Sequence, residues 1–294
     1  MKEKSLMANI MITGGAGNLG TALSQRLLQE GHRLRIFDLP QADFSFHEAW
    51  ETEIIKGSLL DFDILRQAAT GVDVIFHLAA LLPPASDMNR ERTFQVNVQG
   101  TEYLLRAMKE LSHEARLIFS SSVSVYGDTS KESPPVKIDH PLKASDHYSE
   151  SKICCEENIR MQAKKYTLLR ISGIAIPAFM DPPEVWQFQP DQRIEMVPIT
   201  DLVTALVKTM GTAQAQGKIF NIAGGRGWQM YGKDFVEVFC RALDLPLARQ
   251  RFQSRPGWFD WYDTAESQKI LCYQKTSFET FEKQMRKAAE EAMA

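Results

Sequence analysis

Tyr148 and Lys152 stand four residues apart in the run Tyr148-Ser149-Glu150-Ser151-Lys152, which opens a helical pattern. Residues four apart share a helix face, so the phenol and the ammonium point the same way. A free tyrosine titrates near ~10 and is a poor base at neutral pH. A neighbouring positive charge favours its phenolate. The pair therefore suits a proton taken from an alcohol or given to a ketone. The same spacing is common on surface helices, so its meaning depends on what lies around it. One neighbour is an apolar run tipped with hydroxyls: Ser120, Ser121, Ser122, Val123, Ser124, Val125, Tyr126, Gly127. Within it, Ser121 and Ser124 read as structural hydroxyls that bond local backbone.

The second neighbour is the run Thr13-Gly14-Gly15-Ala16-Gly17-Asn18-Leu19-Gly20. It follows Ile10-Met11-Ile12 and leads into a helical pattern at Leu19, Leu23, Leu27 and Leu28. Strand, glycine turn and helix is the context of a dinucleotide-binding fingerprint. Glycines leave room for the turn, for the pyrophosphate and for close helix packing. The helix start offers free N–H groups to phosphate. Asp38 ends the next strand-like run, Leu34-Arg35-Ile36-Phe37. A carboxylate there accepts from the adenosine ribose hydroxyls and repels a 2′-phosphate. Leu39 follows it, so no basic residue favours NADP, and the expected cofactor is NAD. The plainer reading of Asp38 is a turn residue ahead of Pro40.

These residues need elements to hold them. Apolar runs predict strands near 9–13, 33–37, 53–57, 73–77, 115–120 and 166–171. Helical periodicity predicts helices near 18–30, 61–69, 88–111, 146–164, 200–210, 231–243 and 277–292. Alternating strands and helices mean a parallel sheet covered on both faces. Ligands bind beyond the carboxyl ends of such strands, where the glycine turn, Asp38 and the serine run all fall. The expected fold is α/β: a Rossmann doubly wound parallel sheet with a small discontinuous C-terminal substrate lobe. Its expected division is a dinucleotide-binding domain over 1–172, joined again by 194–223, and a substrate lobe over 173–193 and 224–294.

With these motifs in order, the chain resembles the short-chain dehydrogenase/reductase superfamily, in its extended branch of NAD-dependent epimerases and dehydratases. Further matches are His77-Leu78-Ala79-Ala80, Asn97-Val98-Gln99-Gly100-Thr101, Leu169-Arg170-Ile171, the stretch from Val197 to Leu202 and Phe220-Asn221-Ile222-Ala223-Gly224. The resemblance implies that Tyr148 is the acid/base and that Lys152 binds the nicotinamide ribose and depresses the tyrosine pKa. It implies that Ser122 hydrogen-bonds the reacting oxygen and that Asn97 supports the proton relay from its helix. Gly14, Gly17, Asn18, Leu19, Gly20, Asp38, Ser58, Leu59, Leu78, Ala79, Ala80 and Ser120 would line the cofactor cleft with Tyr148 and Lys152. Ser122, Tyr126 and Arg193 would meet substrate. Asn97 and the paired alanines also have plain readings as backbone partner and packing.

The departures carry information too. Ser58 stands where the family commonly places an Asp for the adenine amine. Val123 and Ser124 replace the Asp-Glu pair of sugar dehydratases, which disfavours dehydration. Gly173 stands where nucleotide-sugar enzymes tend to carry an Asn, and Arg193 is one position from a common phosphate-binding arginine. The stretch from Pro177 to Val197 is short and dense in Phe179, Pro182, Pro183, Trp186, Phe188 and Pro190. It reads as a lid over a small pocket or as a connecting loop. Trp258 and Trp261 read as core, or as aromatics flanking a sugar-like ligand.

Composition bounds the function. The 294 residues carry a formal net charge of -3, which gives no basic surface for nucleic acid. No apolar run approaches the ~20 residues of a membrane span, and the start, Met1-Lys2-Glu3-Lys4, lacks a signal-like apolar region. Cys154, Cys155, Cys240 and Cys272 lack metal-ligand spacing, so no metal is expected and the thiols read as reduced, in the cytoplasm. The expected function is NAD-dependent hydride transfer at a secondary alcohol or ketone of a sugar-like or other small hydroxylated molecule. A nucleotide-sugar epimerase is the alternative, and a non-catalytic dinucleotide-binding regulator the third reading. A homodimer through helices 88–111 and 146–164 is the expected assembly.

Overall fold

The computed structural model describes residues 7–50, 52–111, 114–178 and 182–293. Ten strands are β1 (Asn9–Thr13), β2 (Arg33–Asp38), β3 (Glu53–Lys56), β4 (Val74–His77), β5 (Arg116–Ser122), β6 (Tyr166–Ile171), β7 (Gly173–Ala175), β8 (Arg193–Pro198), β9 (Ile219–Ile222) and β10 (Gln229–Tyr231). The helices are α1 (Asn18–Gln29), α2 (Ser45–Ala49), α3 (Phe62–Ala69), α4 (Ala85–Met88), α5 (Arg90–Phe94), α6 (Gly100–Glu110), α7 (His147–Gln162), α8 (Ile199–Gly211), α9 (Gly232–Ala242), α10 (Ala265–Leu271) and α11 (Phe278–Met293).

Seven strands form one sheet in the order β3-β2-β1-β4-β5-β6-β9. β1 pairs in parallel with both β2 and β4. The chain therefore reverses its direction of winding between β1 and β4, the place where such sheets bind ligands. Thr13 and His77 lie opposite each other across that pair, at its carboxyl end. β4 is buried along its whole length, as expected of a central parallel strand covered on both faces. The six strands expected from the sequence are six of the seven in this sheet, and β9 is the one not expected. The helix expected over 88–111 runs from Arg90 to Glu110 as α5, a π-turn at Gln95–Gln99 and α6, with the short α4 separate before it.

The chain forms two compact units. The first holds residues 1–121, 146–169 and 206–219, and the second 122–145, 170–205 and 220–294. The core of the first joins sheet residues Met11, Phe37, Ile75, Leu117 and Phe119 with helix residues Leu65, Leu104, Leu105 and Ile159. Fully burying one such side chain contributes about 1.5–3 kcal/mol, so this cluster fixes where the strand ends lie.

In the second unit β8 is the centre of a three-stranded sheet, parallel to β7 and antiparallel to β10. Trp186 and Phe188 are buried there with Phe235, Phe239, Phe252 and Phe259. The stretch is a connecting loop between β7 and β8, as one of the two readings had it, and it carries these two core side chains. Phe179 lies outside the described residues. The segment 122–145 also groups with this unit, where the sequence reading had put it with the first domain. It is bound there by main-chain bonds from Val136 to Trp261 and Asp263, and by Thr129 donating to Asp260. No helix among the described residues is long and apolar enough to cross a membrane.

Candidate active site

The glycine turn is built by contacts a side chain would forbid. Gly14 has φ +69°, and a Cβ there would sit 2.8 Å from the Ala79 nitrogen. A Cβ on Gly20 would lie 2.5 Å from the carbonyl oxygens of Gly14 and Gly15. At Gly17 the only near atom is the Gly14 oxygen, at 3.4 Å, so the backbone is open. Gly17 caps α1 without a side-chain hydrogen bond, and the first turn of α1 holds no acid. Its free N–H groups suit a diphosphate. Asn18 is exposed and Leu19 half-buried beside them.

Asp38 ends β2 half-buried. One carboxylate oxygen accepts from Ala16 N–H (3.0 Å) and the other from Leu39 N–H (2.8 Å). A carboxylate has about four acceptor positions, so capacity remains for a ribose diol. His47 from α2 closes the same turn, its Nε2 lying 3.0 Å from the Gly15 oxygen. Ser58 accepts from Leu60 N–H in a local turn (3.2 Å), and Leu59 is buried against Gly100. Leu78, Ala79 and Ala80 follow β4 half-buried. Glycine cradle, free helix start and acidic strand end together fit a dinucleotide of the NAD type.

α7 carries Tyr148 and Lys152, and its start is fixed by a capping box between Asp146 and Ser149. Lys152 is 2 % exposed, and its ammonium donates to the Ser120 carbonyl (2.7 Å) at the tip of β5. It lies 4.5 Å from the Phe119 ring centre and 5.6 Å from that of Tyr148. Burial pulls the Lys152 pKa down to about 8, against the opposing pull of Cys155 and Glu156. Tyr148 is half-buried. Desolvation of its phenol raises the pKa, with Asp146 and Cys155 adding to the rise. Lys152 is not among the groups that set this shift. Ser120 also donates to the His77 carbonyl (3.1 Å), so one residue ties the lysine to the end of β4.

Asn97 sits in the π-turn and is buried. Its amide oxygen accepts from Leu81 N–H (2.7 Å), while its nitrogen donates to the Leu81 oxygen (3.2 Å) and to Ser151 Oγ (2.9 Å). Both hydrogens of that amide are used, and its oxygen keeps a second acceptor position.

Of the residues expected at substrate, three belong to the second unit. Ser122 Oγ accepts from the backbone and hydroxyl of Ser124 (3.1 and 2.9 Å), leaving its own proton to give. Tyr126 is buried and donates to Asn221 (2.6 Å), while Arg170 donates to the same phenol (3.0 Å). Arg193 forms a two-pronged pair with Asp260 (2.6 and 2.9 Å) and donates to the carbonyls of Thr129, Ser130 and Glu132. The structure thus places Arg193 as a cross-brace of its own unit. A Cβ on Gly173 would meet Met196 Sδ at 2.4 Å and the Phe259 ring at 2.9 Å, so a side chain there requires both neighbours to move.

Two groups escaped the sequence reading. Glu156, one turn after Lys152, is buried and accepts from Ser121 Oγ (2.5 Å). The spacing of four from Lys152 was its only signal. Glu195, in the middle of β8, is fully buried and accepts from Gly225 N–H, Tyr262 N–H and Gln229. Burial pushes its pKa up to about 7. Nothing in the local pattern marks it.

Known proteins place this geometry. A 31 % identical stretch of 161 residues is shared with a 3 beta-hydroxysteroid dehydrogenase/Delta 5-->4-isomerase of Mycobacterium tuberculosis, covering 53 % of this chain and 43 % of that protein. A D-erythronate dehydrogenase of Cupriavidus necator is 36 % identical over 140 residues, 44 % of this chain and 42 % of that protein. The chain thus spans less than half of the length of these relatives. A crystal structure of a UDP-glucose-4-epimerase from Stenotrophomonas maltophila, with bound NAD and formylated UDP-arabinopyranose, superposes with a TM-score of 0.82 at 19 % identity. It covers 97 % of this chain and 99 % of that one, which establishes the fold. Residues 10–179 match the profile of the NAD dependent epimerase/dehydratase family, and the chain belongs to that family.

Proposed function

We propose that the protein is an NAD-dependent oxidoreductase of the extended short-chain dehydrogenase type, acting at a secondary alcohol or ketone of a sugar-like or other small hydroxylated substrate. The observation that carries this is Lys152 bound to the Ser120 carbonyl with Tyr148 one turn before it, in the same unit as the glycine turn and Asp38. Bound NAD supplies the hydride acceptor and donor. Gly14, Gly17, Gly20 and the start of α1 would hold the diphosphate, and Asp38 would take the adenosine ribose. Tyr148 exchanges a proton with the substrate oxygen, and the Ser122 hydroxyl keeps a proton to donate. Lys152 holds the nicotinamide ribose and brings positive charge toward the phenol. That charge is needed, because burial alone makes Tyr148 a weaker acid. The first unit is then the cofactor domain and the second the substrate domain.

Dehydrogenase and epimerase use this core alike. A panel of polyols, sugar acids and hydroxysteroids with NAD, followed by absorbance at the NADH band, separates them. Net NADH means dehydrogenase, and product without net NADH means epimerase. Neither outcome with any substrate class, together with no NADH binding, overturns the reading.

A homodimer through the helices over 88–111 and 146–164 accords with exposed Met88 and Met161 on these segments. An open cleft of about 540 Å³ lies between Arg90, Phe94, Val98 and Glu102. Sedimentation at micromolar concentration tests it, and a monomer refutes it. A cytoplasmic location accords with four unbridged thiols.

A further inference from the structure

His77 is buried to 0 % exposure at the end of β4, at the point where the sheet changes its direction of winding. Both ring nitrogens are occupied. Nδ1 lies 2.7 Å from Thr13 Oγ1, on the residue that enters the glycine turn. Nε2 lies 3.0 Å from Thr101 Oγ1, on α6. The partners decide which nitrogen carries the proton. The single hydroxyl proton of Thr101 goes to the Asn97 carbonyl, at 2.6 Å. Thr101 can therefore only accept from the ring, so Nε2 carries hydrogen. A neutral ring then has a bare Nδ1, which accepts the Thr13 hydroxyl, and Thr13 in turn accepts from Ala79 N–H (3.3 Å).

The chain of donors continues beyond Thr101. The Asn97 amide donates to Ser151 Oγ (2.9 Å), and Ser151 donates to the Tyr148 carbonyl (2.7 Å). The hydrogen bonds thus run from the glycine turn to the backbone of the helix that carries the phenol. The groups facing the ring agree with neutrality. Lys152 is close enough to oppose a second proton, the Phe119 ring centre is 5.6 Å away, and burial with Lys152 pulls the His77 pKa down to about 3. Cys155 faces Thr101 and the Asn97 carbonyl and is held protonated by burial.

We propose that His77 is a positioning residue: as the neutral Nε2–H tautomer, it joins Thr13 of the dinucleotide turn to Thr101, Asn97 and Ser151 and so sets the glycine turn in register with the Tyr148 helix. A cation at this position would present two donors and reverse the Thr13 bond. An imidazole with the proton on Nδ1 would leave Thr101 and Nε2 as two facing acceptors. Only one of the three ring states satisfies every partner. The proposal rests on the oxidoreductase reading for its functional consequence, but the tautomer does not depend on turnover.

Nitrogen-15 spectra of histidine-labelled protein test the ring directly. His77, assigned by its loss in His77→Gln, is expected to show a protonated Nε2 and a bare Nδ1, unchanged between about pH 5 and about pH 8. A proton on Nδ1, or a titration in that range, overturns the proposal. The coupling is tested by NADH affinity from fluorescence in Thr13→Val, Thr101→Val and the double variant. Thr101→Val is expected to weaken NADH about threefold to tenfold although it lies outside the cofactor cleft, and the double variant is expected to lose less than the product of the singles. Independent, multiplicative losses overturn the linkage. Failure of the wild-type protein to bind NADH would instead overturn the functional reading and leave the spectra as the test of His77.

Discussion

At the scale of single residues, the spacing of Tyr148 and Lys152 was legible because a helix face follows from residue number alone. The partners that set their acidity were not. Lys152 spends its ammonium on a main-chain carbonyl, and carbonyls leave no mark in a sequence. The expected consequence is measurable. Tyrosinate absorbance of the cofactor-free protein should show Tyr148, assigned by difference from Tyr148→Phe, titrating above the ordinary ~10. Saturation with NAD+, which adds positive charge beside Lys152, should lower it. An unchanged titration would remove the electrostatic account. Tyr148→Phe should cost about a thousandfold or more in kcat, with NADH affinity within about twofold, because it removes a proton donor and keeps the ring. Asp38 supports a second expectation. Asp38→Ala with Leu39→Arg should move preference from NAD toward NADP by about tenfold or more, as repulsion is replaced by a guanidinium that pairs with phosphate. Equal cofactor affinities in the wild type would refute the assignment of Asp38.

At the scale of elements, the sheet was readable from its apolar runs, since β1, β4 and β5 are buried on both faces and need no partner to be identified. The second unit was not. β7 and β10 are three residues each, too short to show a period. Trp186 and Phe188 look the same in a lid as in a core, and only their packing with Phe235 and Phe259 separates the cases. The central strand of that unit holds Glu195, whose two oxygens satisfy two backbone N–H groups and the Gln229 amide. Glu195→Gln would turn an amide N–H₂ toward one of those donors and should destabilise the fold by about 1–3 kcal/mol. The pH dependence has a definite sign. The folded-state pKa is raised to about 7 from an ordinary 4.5, so the folded state holds the proton longer. Its contribution is greatest below about pH 4.5 and falls as pH rises through about 7. The stability gap between wild type and Glu195→Gln should therefore narrow across that window in denaturant titrations. A gap that widens would show that the carboxylate is ionised throughout.

At the scale of the molecule, the substrate reading turns on chain length and on particular side chains. A short stretch after β6 suggested too little chain to enclose a nucleotide. A solved epimerase with a UDP-sugar bound shares this fold over 99 % of its length, and a shared fold does not name a substrate. What separates the readings is the state of particular side chains. Arg193 is committed to Asp260 and three carbonyls, and Gly173 leaves no room for an amide beside Met196 and Phe259. UDP, TDP and GDP are accordingly expected to leave the melting temperature of the NAD complex unchanged, whereas a true substrate raises it by mass action. Saturable micromolar binding of a nucleoside diphosphate would favour nucleotide-sugar epimerisation, and would require the Arg193–Asp260 pair to open.

The π-turn at Gln95–Gln99 has a consequence of its own. Such a turn closes hydrogen bonds five residues apart, and amounts to an ordinary helix carrying one residue too many. Deleting that residue would let α5 and α6 fuse into a regular helix, a locally easier structure. It would also rotate one half against the other by about 100°, carrying Asn97 away from Leu81 and Ser151. Over this segment the count of residues is constrained more tightly than their kind. Substitutions on its outer face are expected to be tolerated where the loss of a single codon is not.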